Sequence, residues 1–160
     1  MERYQKIIEH KEFLEYIKKI EKIEKDRIYC RHNITHLLDV ARIAYIKGLE
    51  EKLPLSKDVI YGAALLHDIG KIKQYEEKIP HETAGAALAK EVLTDCGYEK
   101  EEIFEMEKAI LHHRRGDRGT KSDLSRLLYE ADKTSRLCMF CQAEKSCHWS
   151  EEEKNSRLHY

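Results

Sequence analysis

SKDVIYGAALLHDIGK, residues 56–71, decides how this chain folds. Ser56 is an N-cap type, and every residue from Val59 to Leu66 is apolar or small. A helix that is apolar all round belongs in the middle of a bundle. The segment reads as a helix carried through Asp68 and stopped at Gly70. Asp is rarely taken into such surroundings unless it is paired or on a metal. His67 and Asp68 are therefore the first candidates for function.

Working outward, the pattern is helical nearly throughout. Tyr4, Ile7, Ile8, Leu14, Ile17, Ile20 and Ile23 follow steps of three and four, which predicts a first helix over about 3–25. A second starts near Asn33 or Thr35 and keeps Leu37, Val40, Ala41, Ala44, Tyr45 and Leu49 on one face, with Pro54 closing the region. Residues 71–80, KIKQYEEKIP, have mixed polarity and read as a loop or irregular turn. Further helices are expected over 81–96, before Gly97, over 100–112, and over 123–137 with Ser122 or Asp123 as cap. RRGDRGTKSD, residues 114–123, reads as an exposed basic loop, and the tail holds one more short helix. The chain shows no β-type alternation over four or more residues and no internal repeat. The expectation is an all-α, single-domain bundle of six or seven helices over residues 1–160.

Composition narrows the function classes. At 160 residues there is one domain, large enough to bury a core without staples. Hydrophobic residues at 41% and charged residues at 37% describe a globular chain, and 2 Pro with 7 Gly exclude collagen-like and linker-dominated ones. Lys plus Arg number 29 against 30 Asp plus Glu, so a dedicated binder of nucleic acid polymers or lipid surfaces is not expected. No apolar run approaches the roughly 18 residues of a membrane span. The opening MERYQKIIEHKEF carries no apolar signal, which predicts a cytoplasmic protein with its five cysteines reduced.

Nine histidines need explaining. His36 lies four residues before Val40 and so faces inward. His81 follows Pro80 at a helix start, His112 and His113 end a helix, and Asp132 follows the apolar stretch LLYEA. Imidazole and carboxylate together suit zinc, iron, manganese and their neighbours without choosing among them.

The order His36, His67-Asp68, Asp132 resembles the HD superfamily of metal-dependent phosphohydrolases. THLLDVARIA surrounds the first His, AALLHDIGK the pair and EADKTSR the last Asp, so the likeness covers about residues 30–136. Within that superfamily the chain looks like the bacterial symmetric diadenosine-tetraphosphate hydrolases, whose two added histidines match His81 in HETAGA and His113 in AILHHRRG. It departs from that branch where Asp117 follows Gly116, with Arg118 one later, and where Lys133, Ser135 and Arg136 follow Asp132. The resemblance implies two divalent ions, with iron the first choice and Mn, Mg, Zn, Co or Ni the others. His36, His67 and Asp132 would hold one, His81 and His113 the second, and Asp68 would bridge them. A water acidified between the ions would attack phosphorus in line. The implied substrate is a small nucleotide such as diadenosine tetraphosphate, cleaved to ADP by a monomer or homodimer. A single-metal nucleoside 5′-monophosphate phosphatase using only His36, His67, Asp68 and Asp132 is the alternative, followed by a non-catalytic nucleotide-binding module.

Around this set, Lys71 lies three residues after Asp68 and is a candidate catalytic and phosphate-binding residue. Arg114, Arg115, Arg118 and Arg136 are candidate phosphate donors, because a guanidinium offers a planar fork to phosphate oxygens. His32 and His112 stand in reserve, Asp39 is placed to support His36, and Tyr75 is the candidate for contact with a base. Cys138-x2-Cys141-x5-Cys147, with His148 adjacent and Cys30 as a further thiol, has soft-metal spacing at its first pair. It reads either as a structural zinc site in the tail, residues 137–160, or as plain packing at the bundle end.

Overall fold

The computed structural model describes residues 2–114 and 122–160. Among these there are eight α-helices and no strand: α1 Arg3–Glu9, α2 Lys11–Ile23, α3 Ile34–Glu50, α4 Lys57–Leu66, α5 Lys71–Glu77, α6 His81–Asp95, α7 Lys100–His112 and α8 Asp123–Thr134. Two 3₁₀ turns, Cys138–Phe140 and Glu144–Ser146, follow in the tail. Counting α1 and α2 as one bent helix leaves a seven-helix, all-α bundle.

α4 is the axis. Val59, Ile60, Ala63, Ala64, Leu65 and Leu66 are all buried, and α1, α3, α6, α7 and α8 pack around them. Each large aliphatic side chain so buried contributes about 1.5–3 kcal/mol relative to exposure. Ser56 caps this helix by accepting from the Val59 N–H at 3.2 Å. Ser122 caps α8 in the same way, through Ser125.

The segments expected over 3–25 and 71–80 differ from their sequence reading. His10 is extended, at φ −69° and ψ 127°, and divides the first helix in two. Its Nε2 lies 3.3 Å from Asp95 at the end of α6. The bend lets Tyr4 and Ile7 pack on α4 while the second half packs on α5. Residues 71–77 are helical rather than a loop. Ile72 is buried there, and Lys78 closes the helix at φ 62°. Seven residues are too few to display an apolar period.

α4 itself stops at Leu66, so His67 and Asp68 sit on the turn before α5 and not within a helix. Gly70 ends that turn for a steric reason. A Cβ there would lie 2.0 Å from the His81 carbonyl oxygen and 2.4 Å from the Gly85 nitrogen. Only glycine lets the start of α6 come this close to the His67–Asp68 turn. Gly97 closes α6 at φ +83°, a left-handed position that favours glycine.

Candidate metal centre

Each polar residue of the centre is delivered by a helix end or a turn. Asn33 caps α3 by accepting from the His36 N–H at 3.0 Å, which fixes His36 in the first turn. His67 follows the last residue of α4, His81 opens α6, His113 follows the last residue of α7, and Asp132 lies in the last turn of α8. All four histidines and Asp68 are buried.

The structure brings these residues into two clusters that share Asp68. In the first are His36, His67, Asp68 and Asp132, and in the second Asp68, His81 and His113. The Oδ2 atom of Asp68 faces one cluster, 3.1 Å from His67 Nε2 and 3.5 Å from His36 Nε2. Its Oδ1 faces the other, 3.4 Å from His81 Nε2 and 3.6 Å from His113 Nε2. Asp132 Oδ1 completes the first at 3.2 Å from His36 and 3.8 Å from His67.

The donor set fits divalent ions. Ligands bound at about 2.0–2.2 Å stand about 3–4 Å from one another, which is the spacing found. His67 Nε2 is fully buried and has no hydrogen-bond partner among the described residues, although it points at two carboxylates. An orphaned polar atom in such a place marks a position that an ion satisfies. Both clusters are therefore able to coordinate divalent metal.

Histidine orientation is set from behind. His67 Nδ1–H donates to the Ala64 carbonyl and His113 Nδ1–H to the Ile110 carbonyl, each at 2.6 Å. His81 Nδ1–H donates to Gln74 Oε1 at 2.7 Å. The Ser135 hydroxyl donates to the Asp132 carbonyl at 2.8 Å and so accepts from His36 Nδ1–H at 3.4 Å. In every case Nε2 is left for the centre, the tautomer a metal ligand needs. Sequence reasoning missed Gln74 and Ser135. It offered Asp39 to support His36, whereas Asp39 is half-exposed and pairs with Arg42 at 3.4 Å.

The electrostatics favour a cation at the shared carboxylate. Burial pushes the Asp68 carboxyl up, but the positive charge of His67 and the neighbouring His32, His113 and His36 rings hold it well below its ordinary value. Asp132 behaves alike, with burial outweighed by the imidazoles of His36 and His67 beside it. Burial pushes the His67 imidazole down, and Asp68 and Asp132 override it and raise it to about 10. Without metal, a proton on His67 supplies the missing positive charge. His81 is instead lowered to about 3, first by burial, so its ring is neutral and ready to bind an ion.

A cavity of about 240 Å³ opens over Asp68, His81, His113 and Asp132. Arg27, Lys71, Arg114, Lys133 and Arg136 line it. Arg136 Nη2 lies 3.1 Å from His36 Nε2 and 4.0 Å from Asp132 Oδ1. Arg114 is more exposed and sits 3.5 Å from Glu82. Arg115 and Arg118 fall outside the described residues. Of the reserve histidines, His32 lines the cavity, with Nδ1 2.6 Å from buried Glu24, while His112 turns to the Lys108 carbonyl. Tyr75 gives its hydroxyl to Glu24, and the aromatic side chains on the cavity wall are Tyr29 and Trp149. Arg27, Lys133, Tyr29 and Trp149 were not singled out from sequence for this cavity. Their approach depends on contacts across the bundle, such as the cation–π contact of Lys133 with Trp149 at 4.6 Å.

The tail cysteines do not close on an ion as they stand. Cys30, Cys138, Cys141 and Cys147 line one neighbouring cavity, but no three ligand atoms including a sulfur lie within 4.8 Å of one another among the described residues.

The HD-domain family model matches residues 33–137, about two-thirds of the chain. The chain belongs to the HD-domain family. An uncharacterized protein of Clostridium beijerinckii is 44% identical over the whole of both chains. Ribonuclease Y of Acetivibrio thermocellus is 31% identical over 121 residues, 76% of this chain but only 21% of that protein. A crystal structure of a predicted HD superfamily hydrolase from an uncultured Thermotogales bacterium has a TM-score of 0.66 at 23% identity. That match covers 89% of this chain and 79% of the other, and it shows a common fold. With two candidate metal clusters in its core, this HD domain is a metal-dependent phosphohydrolase. None of its described helices is long and apolar enough to cross a membrane.

Proposed function

We propose that the protein hydrolyses a phosphoanhydride in a small, multiply charged nucleotide, with a dinucleoside polyphosphate such as diadenosine tetraphosphate cleaved to ADP as the specific reading. The observation that carries it is the pairing of two Asp68-sharing clusters with a cationic wall of Arg27, Lys71, Arg114, Lys133 and Arg136. A single phosphate leaves most of those charges without a partner, whereas a polyphosphate engages them along its length. His36, His67 and Asp132 would hold one ion and His81 and His113 the other, with Asp68 shared by both clusters. Iron is the preferred metal. The chemistry such ions supply is polarisation of the phosphoryl group and acidification of a water. The setting is the cytoplasm.

The protein's own groups orient and protonate. Arg136 extends a charged fork beside the first cluster, and Arg114 extends another at the rim. The Lys71 ammonium is depressed by burial, against the pull of Asp68 and with reinforcement from Arg114 and Arg27. That depression makes Nζ a better proton donor to a leaving oxygen near neutral pH. Trp149 and Tyr29 offer apolar faces to a base at the cavity wall.

The relative named Ribonuclease Y supplies an RNA arm for the test. Anaerobically purified protein loaded with Fe²⁺ or Mn²⁺ is given diadenosine tetraphosphate, AMP and a short RNA at equal concentrations. ADP as the dominant product is expected. Adenosine from AMP alone supports a monophosphatase, and shortened RNA alone supports a phosphodiesterase. Arg136→Ala is expected to lower kcat/KM for the polyphosphate by about 10–100-fold, the worth of one charged hydrogen bond.

A further inference from the structure

The tail, residues 137–160, poses a problem of stability. Its only regular pieces are two three-residue turns, and Ala143 is its one buried hydrophobic residue. A segment with so little apolar burial lacks the driving force to hold one conformation, and natural chains in that position use a covalent or metal staple. Yet it forms part of the active-site wall through Cys147, His148 and Trp149.

Four of the five cysteines converge there. Cys30 comes from the loop between α2 and α3, and Cys138, Cys141 and Cys147 come from the tail. All four line one cavity of about 370 Å³, whereas His148 does not line it. The fifth, Cys96, is buried beside Gly97 at the end of α6. Cys138 and Cys141 bracket a single 3₁₀ turn, closed by the Cys141 N–H on the Cys138 carbonyl at 3.1 Å. This is the C-x2-C arrangement that presents two sulfurs to one ion. Arg136 lines the same cavity and answers part of the net negative charge of a divalent ion on four thiolates, while Lys154 there is paired with Glu144 and Glu151, each at 2.6 Å.

We propose that Cys30, Cys138, Cys141 and Cys147 form a separate thiolate site for a soft divalent ion of the zinc class, which staples the tail to the loop before α3. Zinc–sulfur bonds of about 2.3 Å place the sulfurs about 4 Å apart in a tetrahedron. Among the described residues no three of these sulfurs lie within 4.8 Å of one another. The ion has no catalytic part. It holds Trp149 and Arg136 against the phosphate cavity, so its loss loosens one wall of that cavity and leaves the His–Asp clusters in place.

The test is cobalt titration of the chelator-stripped full chain under anaerobic, reducing conditions. Thiolate-to-cobalt charge transfer in the near ultraviolet reports sulfur ligation, and the His–Asp clusters contain no sulfur. The expected result is a thiolate band whose final intensity corresponds to one cobalt on thiolates per chain, whatever the His–Asp clusters take up, and which is displaced by zinc. It survives in His81→Ala/His113→Ala, disappears in Cys138→Ser/Cys141→Ser, and needs at least tenfold more metal in Cys30→Ser. Zinc is also expected to slow proteolytic cleavage of the tail by tenfold or more. Absence of a thiolate band in the wild-type chain overturns the proposal, as does a band whose affinity is unchanged by Cys30→Ser.

Discussion

Asp68 is the residue on which the centre turns, because its two oxygens face different clusters. Removing it takes the shared ligand from both, whereas His81 and His113 touch only one. His67 carries a prediction of its own. Its pKa is raised to about 10, against about 6.5 in an unfolded chain. In the metal-free protein its ion pair therefore stabilises the fold fully below about pH 6.5 and fades as pH rises through about 10. An ion must displace that proton, so metal uptake at pH 7 is expected to release about one proton per chain, with apparent affinity rising with pH. Calorimetry in two buffers of different ionisation enthalpy measures the release, and uptake with no proton released contradicts it. The residues of the first cluster stood out in the order His36, His67-Asp68, Asp132, since a carboxylate after an apolar run is conspicuous, whereas His81 and His113 entered only through the resemblance to a known family. Ser135 and Gln74 were not legible, because nothing in a local pattern marks a hydroxyl or an amide that meets a histidine from another helix.

At the scale of elements, the site depends on how closely α6 approaches the turn after α4. Gly70→Ala places a Cβ against the backbone of His81 and Gly85, where no flexible side chain can give way. The expected cost is about 2–3 kcal/mol, or about 5–10 °C in Tm, together with weakened metal binding at His81. Thermal melts with and without metal check this, and an unshifted Tm contradicts it. The loop leading to α3 has a second fixing point in Glu24, which accepts from the His32 N–H at 2.7 Å, the His32 ring and Tyr75 of α5. Burial alone would raise its pKa, but those donors and the charge of His32 lower it to about 2. Glu24 thus adds stability above about pH 4.3 that is lost as pH falls through about 2. Acid unfolding is expected to be less steep in that window for Glu24→Gln, and an unchanged profile contradicts the assignment. α5 was hidden from sequence reading because two apolar positions among seven residues give no period, and its partners Glu24 and His81 are distant or out of phase.

Across the whole molecule, helical periodicity over α3, α4, α6, α7 and α8 was enough to place a bundle, because each long helix buries one stripe against α4 or its neighbours. Of the cavity wall, Lys71, Arg114 and Arg136 stood out because each lies within four residues of a cluster residue, whereas Arg27 and Trp149 did not, since they lie far apart in sequence and share no pattern. The same distance separates Cys30 from the tail. All of these features surround one claim, that two ions sit on either side of a single carboxylate. Crystallographic anomalous scattering from Mn²⁺-loaded protein tests it most directly. Two peaks about 3.5–4 Å apart are expected, one against His36, His67 and Asp132 and one against His81 and His113, with Asp68 between them. A single peak at the first cluster, with His81 Nε2 still 3.2 Å from His113 Nε2 as in the structure, would overturn the claim.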